Sequence, residues 1–212
     1  MTDRDPRPLL EVLEQARGLG LLGPGPVTRQ YEHAADLARA IGDFDGELLD
    51  LGSGGGLPGL VLFDRWRTAS GVLLDAQRRR CEFLRRAVAD LDLGSRVSVE
   101  CGRAEVLARE ARLRGRFALV VARSFGAPAT TAECAVGFLA QGGSLVVTEP
   151  PDSEAEGSAP TRWDREGLER LGFAPADPVR VGETGAVRIE LREIVGDEWP
   201  RRDGVPAKRP LW

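Results

Sequence analysis

The stretch ELLDLGSGGGLPG, residues 47–59, constrains the fold of this chain more than any other. A short apolar run (Leu48, Leu49, Leu51) leads into a turn of four glycines, and Pro58 then opens a helix. Proline suits a first helical turn because the N–H it lacks would go unpaired there in any case. Glycine permits positive φ and lets a ligand approach the backbone with no Cβ in the way. Strand, glycine turn and helix N-terminus in that order form the cofactor cradle of a doubly wound α/β sheet.

Charge decides which cofactor the cradle favours. Gly54, Gly56 and Gly59 fit G-x-G-x-x-G, which alone is a weak sign of a dinucleotide. Asp50, at the strand end two residues before Gly52, argues against a pyrophosphate, because a carboxylate there repels phosphate. It suits S-adenosyl-L-methionine, which carries an ammonium and a sulfonium. A second acid, Asp75, ends the run Val72-Leu73-Leu74 about 20 residues further on, within reach of ribose hydroxyls for either ligand. The alternative for Asp50 is a cap on the glycine turn.

Around this stretch the chain alternates apolar runs and amphipathic segments. Strands are expected near 47–51, 71–75, 96–100, 117–122 and 143–148, with helices near 58–66, 77–92, 103–113 and 128–140. That alternation implies right-handed crossovers and a parallel sheet. A helix near 163–171 and two closing strands, 179–182 and 186–194, follow a Pro/Gly/Ser-rich acidic stretch at 150–162 that reads as a mobile surface loop. Ahead of the first strand, residues 8–17 and a segment capped by Thr28 pattern as two helices forming a lid or side layer. The expected division is a helical extension over 1–45 and one cofactor-binding domain over 46–212.

Composition narrows the chemistry. A net charge of −4 confines any RNA contact to local basic patches, and the basic residues are nearly all arginine, with Lys208 the only lysine. The arginines at 78, 79, 80, 85 and 86 flank the apolar stripe of one helix, as a solvated face or as an RNA contact. Cys81, Cys101 and Cys134 are odd in number and lack C-x-x-C, which excludes a disulfide framework and the usual zinc spacings; buried packing is their expected role. His33, the only histidine, reads as a packing or hydrogen-bonding residue. No apolar run approaches the ~20 residues of a membrane span and the N-terminus has no signal-peptide pattern, so a cytoplasmic protein without a metal or a membrane association is expected.

Five blocks carry a resemblance: LDLGSGGGLPG (49–59), LLDAQRRRCEFLR (73–85), GRAE (102–105), VVARSFG (120–126) and PRRDGVPAKRPL (200–211). In these the sequence resembles the bacterial 16S rRNA guanine-N7 methyltransferases, the glucose-inhibited division protein B family. The resemblance implies a Rossmann-like class I methyltransferase sheet, mostly parallel with an antiparallel closing strand, using S-adenosyl-L-methionine. It implies that Asp50, Gly52, Ser53, Gly54, Gly56 and Leu57 line the donor through the turn, while Asp75, Ala76 and Gln77 hold its ribose. Ala104 and Glu105 would sit against adenine, and Arg123 at the mouth beside the methyl group, touching both donor and acceptor. Arg201, Arg202, Lys208 and Arg209 of the basic tail would meet RNA. The implied partner is 16S rRNA or the small ribosomal subunit, bound by a monomer.

The residues suit that chemistry. Guanine N7 has an in-plane lone pair at neutral pH, so methyl transfer to it requires alignment rather than a general base. One histidine, one lysine and no metal cluster fit oxygen methylation, which more often takes a base or a metal, less well. Arg123 follows an apolar strand at the end where α/β sheets place ligands; an ion pair with Asp50 is its structural alternative. A base in a stacked RNA must be exposed before reaction, which predicts an open pocket near Phe125 and the basic tail. The acceptor side departs from the resemblance. An early W-N…N-L-T stretch has no match, Phe117-Ala118 replaces F-D, and Thr148-Glu149-Pro150-Pro151 stands where lysine–glycine is usual. Three alternatives therefore stay open: a same-fold methyltransferase for another RNA or a small molecule, a non-catalytic nucleotide- or RNA-binding protein, and a nicotinamide-dependent oxidoreductase.

Overall fold

The computed structural model describes residues 6–149, 162–182 and 184–212, so most of the acidic stretch at 150–162 lies outside the described residues. Seven strands form one sheet: β1 (Glu47–Leu51), β2 (Ser70–Asp75), β3 (Val97–Cys101), β4 (Phe117–Ala122), β5 (Leu139–Thr148), β6 (Asp177–Val181) and β7 (Thr184–Glu190). Their order is β3-β2-β1-β4-β5-β7-β6. Strands β1 to β5 pair in parallel, and β7 runs antiparallel to both β5 and β6. The order reverses between β1 and β4, and a ligand crevice is expected at the carboxyl ends of those two strands.

Strand alternation splits the apolar residues between two layers. On one face Leu48, Leu73, Leu119, Val121 and Val146 pack beneath α1 (Arg7–Gly18), α2 (Val27–Ile41), α3 (Gly59–Arg65) and α4 (Arg78–Asp90). On the other, Leu49, Leu51, Val120, Ala122 and Val147 pack beneath α5 (Ala104–Leu107), α6 (Pro128–Val136) and α7 (Arg165–Arg170). Leu9, Leu13 and Leu37 of the first two helices share a core with Leu60 and Phe63 of α3. The N-terminal helices therefore form a side layer against the sheet.

Local chemistry explains where the elements depart from expectation. Helix α2 begins at Val27 with the extended Pro26 as its cap residue, so Thr28 lies within the first turn and does not cap it. The helix expected over 103–113 is α-helical only at Ala104–Leu107. Beyond it hydrogen bonds tighten to a spacing of three, and Arg109 and Arg114 turn to the carbonyls of Asp197, Trp199 and Gly196. Helix α6 stops at Val136, and β5 starts at Leu139 with a register shift opposite Phe117–Leu119. Gly142 (φ +76°) lies in that irregular stretch, which fits glycine's role at strand bulges. The tail ends in a short helix, α8 (Val205–Lys208). Among the described residues no helix is long and apolar enough to cross a membrane.

Candidate active site at the carboxyl ends of β1, β2 and β4

The glycine turn is tied down at both ends. The N–H groups of Gly52 and Ser53 both donate to the Leu74 carbonyl, and the Ser53 hydroxyl donates to the Asp50 carbonyl at 3.0 Å. Gly52, Gly54 and Gly56 all have positive φ, at 78°, 56° and 99°. Gly59 is required for another reason: a Cβ there would lie 2.5 Å from Asp50 Oδ2 and 2.4 Å from Leu73. That close approach lets the Gly59 N–H donate to Asp50 Oδ2 at 3.0 Å. Asp50 thus caps the entry to α3 with one oxygen, as its structural alternative held. Its other oxygen, Oδ1, is buried with no hydrogen-bond partner, and the residue is 0% exposed. Burial pushes its carboxyl up to about 7, against the pull of the Gly59 N–H.

Gly52, Asp75, Ala76, Ala104 and Glu105 line one cavity, with Phe125, Thr130 and Cys134 completing the wall. Asp75 is held by both oxygens, accepting from the Gln77 N–H at 2.8 Å and the Gly54 N–H at 2.9 Å, with Arg80 Nη1 at 3.4 Å. Glu105 is buried and its Oε1 accepts from Arg103 Nη2 at 2.8 Å and the Gly204 N–H at 3.1 Å. Ser53, Gly54, Gly56, Leu57 and Gln77 shape the loop without lining this cavity, and Leu57 is buried in the core. The donor set fits S-adenosyl-L-methionine. Two acids, Asp75 and Glu105, line the cavity as acceptors, the Gly54 backbone is open to approach, and the turn covers a carboxylate with an unpartnered oxygen.

A second cavity of about 420 Å³ opens beside the first, lined among others by His33, Arg123, Phe125, Glu149 and Trp163. Phe125 lines both cavities, and its ring would meet a Cβ on Gly52 at 2.6 Å. Ser124, before it, has φ +53°, a sparsely populated conformation of the kind found at binding sites. Arg123 donates from Nη2 to Gln30 Oε1 at 3.2 Å, while its Nη1 is buried without a partner. The ion pair with Asp50 is not formed. Burial lowers the Arg123 pKa and the Asp50 charge opposes that at longer range. His33 lines the same cavity, and its Nε2 is also buried without a partner.

The basic tail divides. Arg201 is drawn inward, its Nε and Nη2 on the fully buried carboxylate of Glu133 at 2.8 and 2.6 Å, and its own N–H on the same group at 2.8 Å. Arg202, Lys208 and Arg209 are exposed, and Ala207 closes one side of the donor cavity. In α4, Arg78 pairs with Glu82, Arg79 donates to the Leu19 carbonyl and Arg80 faces Asp75, so these three are engaged within the chain. Burial raises the Cys81 thiol to about 12 and Cys134 further still, which disfavours their thiolates, whereas Cys101 is exposed and departs from the buried packing expected of it. No group of His, Cys, Asp and Glu among the described residues could hold a metal.

With the geometry in place, the comparisons with known proteins are decisive. Residues 21–162 match the family model GidB, rRNA small subunit methyltransferase G. The chain belongs to this family. It is 37% identical over 199 residues to the ribosomal RNA small subunit methyltransferase G of Rubrobacter xylanophilus, covering 88% of this chain and 74% of that one. With the protein of the same name from Moorella thermoacetica it shares 34% over 173 residues, 78% of this chain and 69% of that one. In fold it is similar to a methyltransferase from Geobacter sulfurreducens, with a TM-score of 0.59 at 18% identity, covering 90% and 91% of the two chains. It is equally similar to an O-methyltransferase from Bacillus cereus in complex with SAH, with a TM-score of 0.59 at 17% identity, covering 91% and 93%. Family and fold together make the chain a class I, S-adenosylmethionine-dependent methyltransferase.

Several residues of the site escaped sequence reasoning. Gln30 positions Arg123 from a helix 93 residues away in sequence, and no local pattern marks it. Glu133 could have been noticed, since an acid inside the apolar run of α6 requires a partner. Phe125 is legible as an aromatic after a strand end, but its contact with Gly52 is tertiary.

Proposed function

We propose that this protein transfers a methyl group from S-adenosyl-L-methionine to N7 of a guanine in 16S rRNA of the small ribosomal subunit. The observation that carries the reading is Arg123, which lines a second cavity sharing Phe125 with the first and keeps its buried Nη1 without a partner. When bound, S-adenosyl-L-methionine supplies an electrophilic methyl group on a sulfonium. Asp75 accepts from the ribose hydroxyls, Glu105 from the adenine amino group, and Asp50 supplies the negative charge beneath the glycine turn. Arg123 donates to O6 of the acceptor, as arginine does at guanine edges, and so turns N7 toward the donor. No residue has to take a proton, because N7 reacts through a free lone pair.

Phe125 lines both cavities and so stands where donor and acceptor would meet. The exposed Arg202, Lys208 and Arg209 supply phosphate contacts at the rim, with the protein acting as a cytoplasmic monomer. The decisive experiment is mass mapping of 16S rRNA nucleosides from cells with and without the gene. An N7-methylguanosine that disappears with the gene, and returns with the wild type but not with Arg123→Ala, is the expected result. Identical maps would overturn the assignment.

A further inference from the structure

Glu149 lines the acceptor cavity without a role in the reaction above, and it belongs to the Thr148-Glu149-Pro150-Pro151 stretch singled out in the sequence. Its carboxylate is built in. Oε1 accepts from Trp163 Nε1 at 2.9 Å, Oε2 pairs with Arg162, and the side chain is 6% exposed. Its N–H donates to the Gly185 carbonyl at 2.9 Å, fixing the backbone at the end of β5 against β7. A carboxylate offers about four acceptor positions, so two protein donors leave room for two more.

Strand alternation sets Glu149 opposite Arg123. Val121 packs in the core under α2, and Arg123, two residues on, leaves the sheet on that side and reaches Gln30. Val147 packs in the other core, and Glu149, two residues on, meets Trp163 of that layer. The cavity lies between, with the Arg123 guanidinium on one side and the Glu149 carboxylate, paired with Arg162, on the other.

Guanine is complementary to such a pair of walls. Its O6 and N7 accept along one edge, while N1–H and the 2-amino group donate side by side along the next. Adenine presents an acceptor at N1, which a carboxylate repels. We infer that Glu149 is a specificity-determining residue that accepts hydrogen bonds from N1–H and the 2-amino group of the acceptor guanine, while Arg123 holds O6. The inference rests on the guanine reading of the same cavity. Flipped bases are commonly read along that edge.

The test is binding of guanosine, inosine and adenosine 5′-monophosphates to the full-length protein saturated with S-adenosylhomocysteine, followed by NMR titration. Inosine lacks only the 2-amino group. The wild type is expected to bind the guanosine nucleotide about tenfold or more tightly than the inosine nucleotide, the usual effect of losing a hydrogen bond to a charged group, and the adenosine nucleotide more weakly still. In Glu149→Gln the guanosine-to-inosine ratio falls toward one, with thermal melting monitoring the fold. A wild type that does not distinguish guanosine from inosine overturns the inference whether or not the variant folds. So does a folded variant that keeps the full preference, as it would if Glu149 served only to anchor Trp163. Guanosine preference with no N7-methylguanosine in the rRNA map rejects the reaction while leaving the pocket assignment standing; the reverse pattern rejects Glu149 alone.

Discussion

Replacing Asp50 by asparagine separates charge from shape beneath the glycine turn. The carboxyl is 0% exposed, and burial raises it from 3.8 to about 7. At 1.36 kcal/mol per unit that rise corresponds to roughly 4 kcal/mol of destabilisation once the group is ionised, an upper bound because the interior relaxes around a charge. The folded state holds its proton to higher pH than the unfolded chain does. Stability from this group is therefore lost as pH climbs from about 4 to about 7, and the cost is complete above that. Asparagine keeps an oxygen for the Gly59 N–H and carries no charge. The donor-free variant should gain about 2–3 kcal/mol at pH 8, or roughly 5–10 °C in Tm for a domain of this size, and less than half of that at pH 5. Donor affinity should fall about tenfold to a hundredfold at pH 8, because a neutral amide cannot balance the cationic ligand. In the wild type, donor binding below pH 7 must expel the Asp50 proton, so affinity should rise from pH 5.5 to 7 and level off, and the variant should show no such slope. Thermal melts at the two pH values and calorimetric titration with S-adenosyl-L-methionine read both effects. A variant that is less stable at pH 8, or that binds the donor as the wild type does, would refute the view that this carboxylate is kept at a stability cost for a cation.

Three further perturbations probe other parts of the site. Asp75→Ala should weaken donor binding by about 1–3 kcal/mol and loosen the turn, since Gly54 and Gln77 lose their acceptor; an unchanged dissociation constant would remove Asp75 from the ribose. Arg123→Ala should abolish turnover while melting close to the wild type, because among the described residues Gln30 is the one hydrogen-bond acceptor its guanidinium holds; full activity would reduce the residue to structure. Arg201→Ala should lower stability by about 3 kcal/mol, near 10 °C in Tm, by leaving Glu133 buried with only a backbone partner, and should loosen α8 from the donor cavity. A variant that melts as the wild type does would assign Arg201 to the surface.

The elements that proved legible are those whose signal is local. Strands β1, β2 and β4 announce themselves as apolar runs with a charged residue at or beside their carboxyl ends (Asp50, Asp75, Arg123), and the resemblance carries the glycine turn and both acids. The sequence predicts helix as far as residue 113, but the arginines after α5 take carbonyls of residues more than 80 positions away. Helix α6 was read four residues too long for a related reason. Gly137 and the irregular start of β5 answer to the register against β4, which no window along the chain contains. Arg201 was grouped with the exposed basic residues of the tail, since composition cannot tell a cation that faces phosphate from one that faces Glu133.

The chain's own order of residues determined the sheet and the glycine turn, because φ preference and side-chain alternation are properties of a few neighbouring positions. Only the folded molecule decided which groups are left wanting a partner. Asp50 Oδ1, Arg123 Nη1 and the two walls of the acceptor cavity owe their state to burial by segments distant in sequence, and desolvation is a property of the surroundings rather than of the residue.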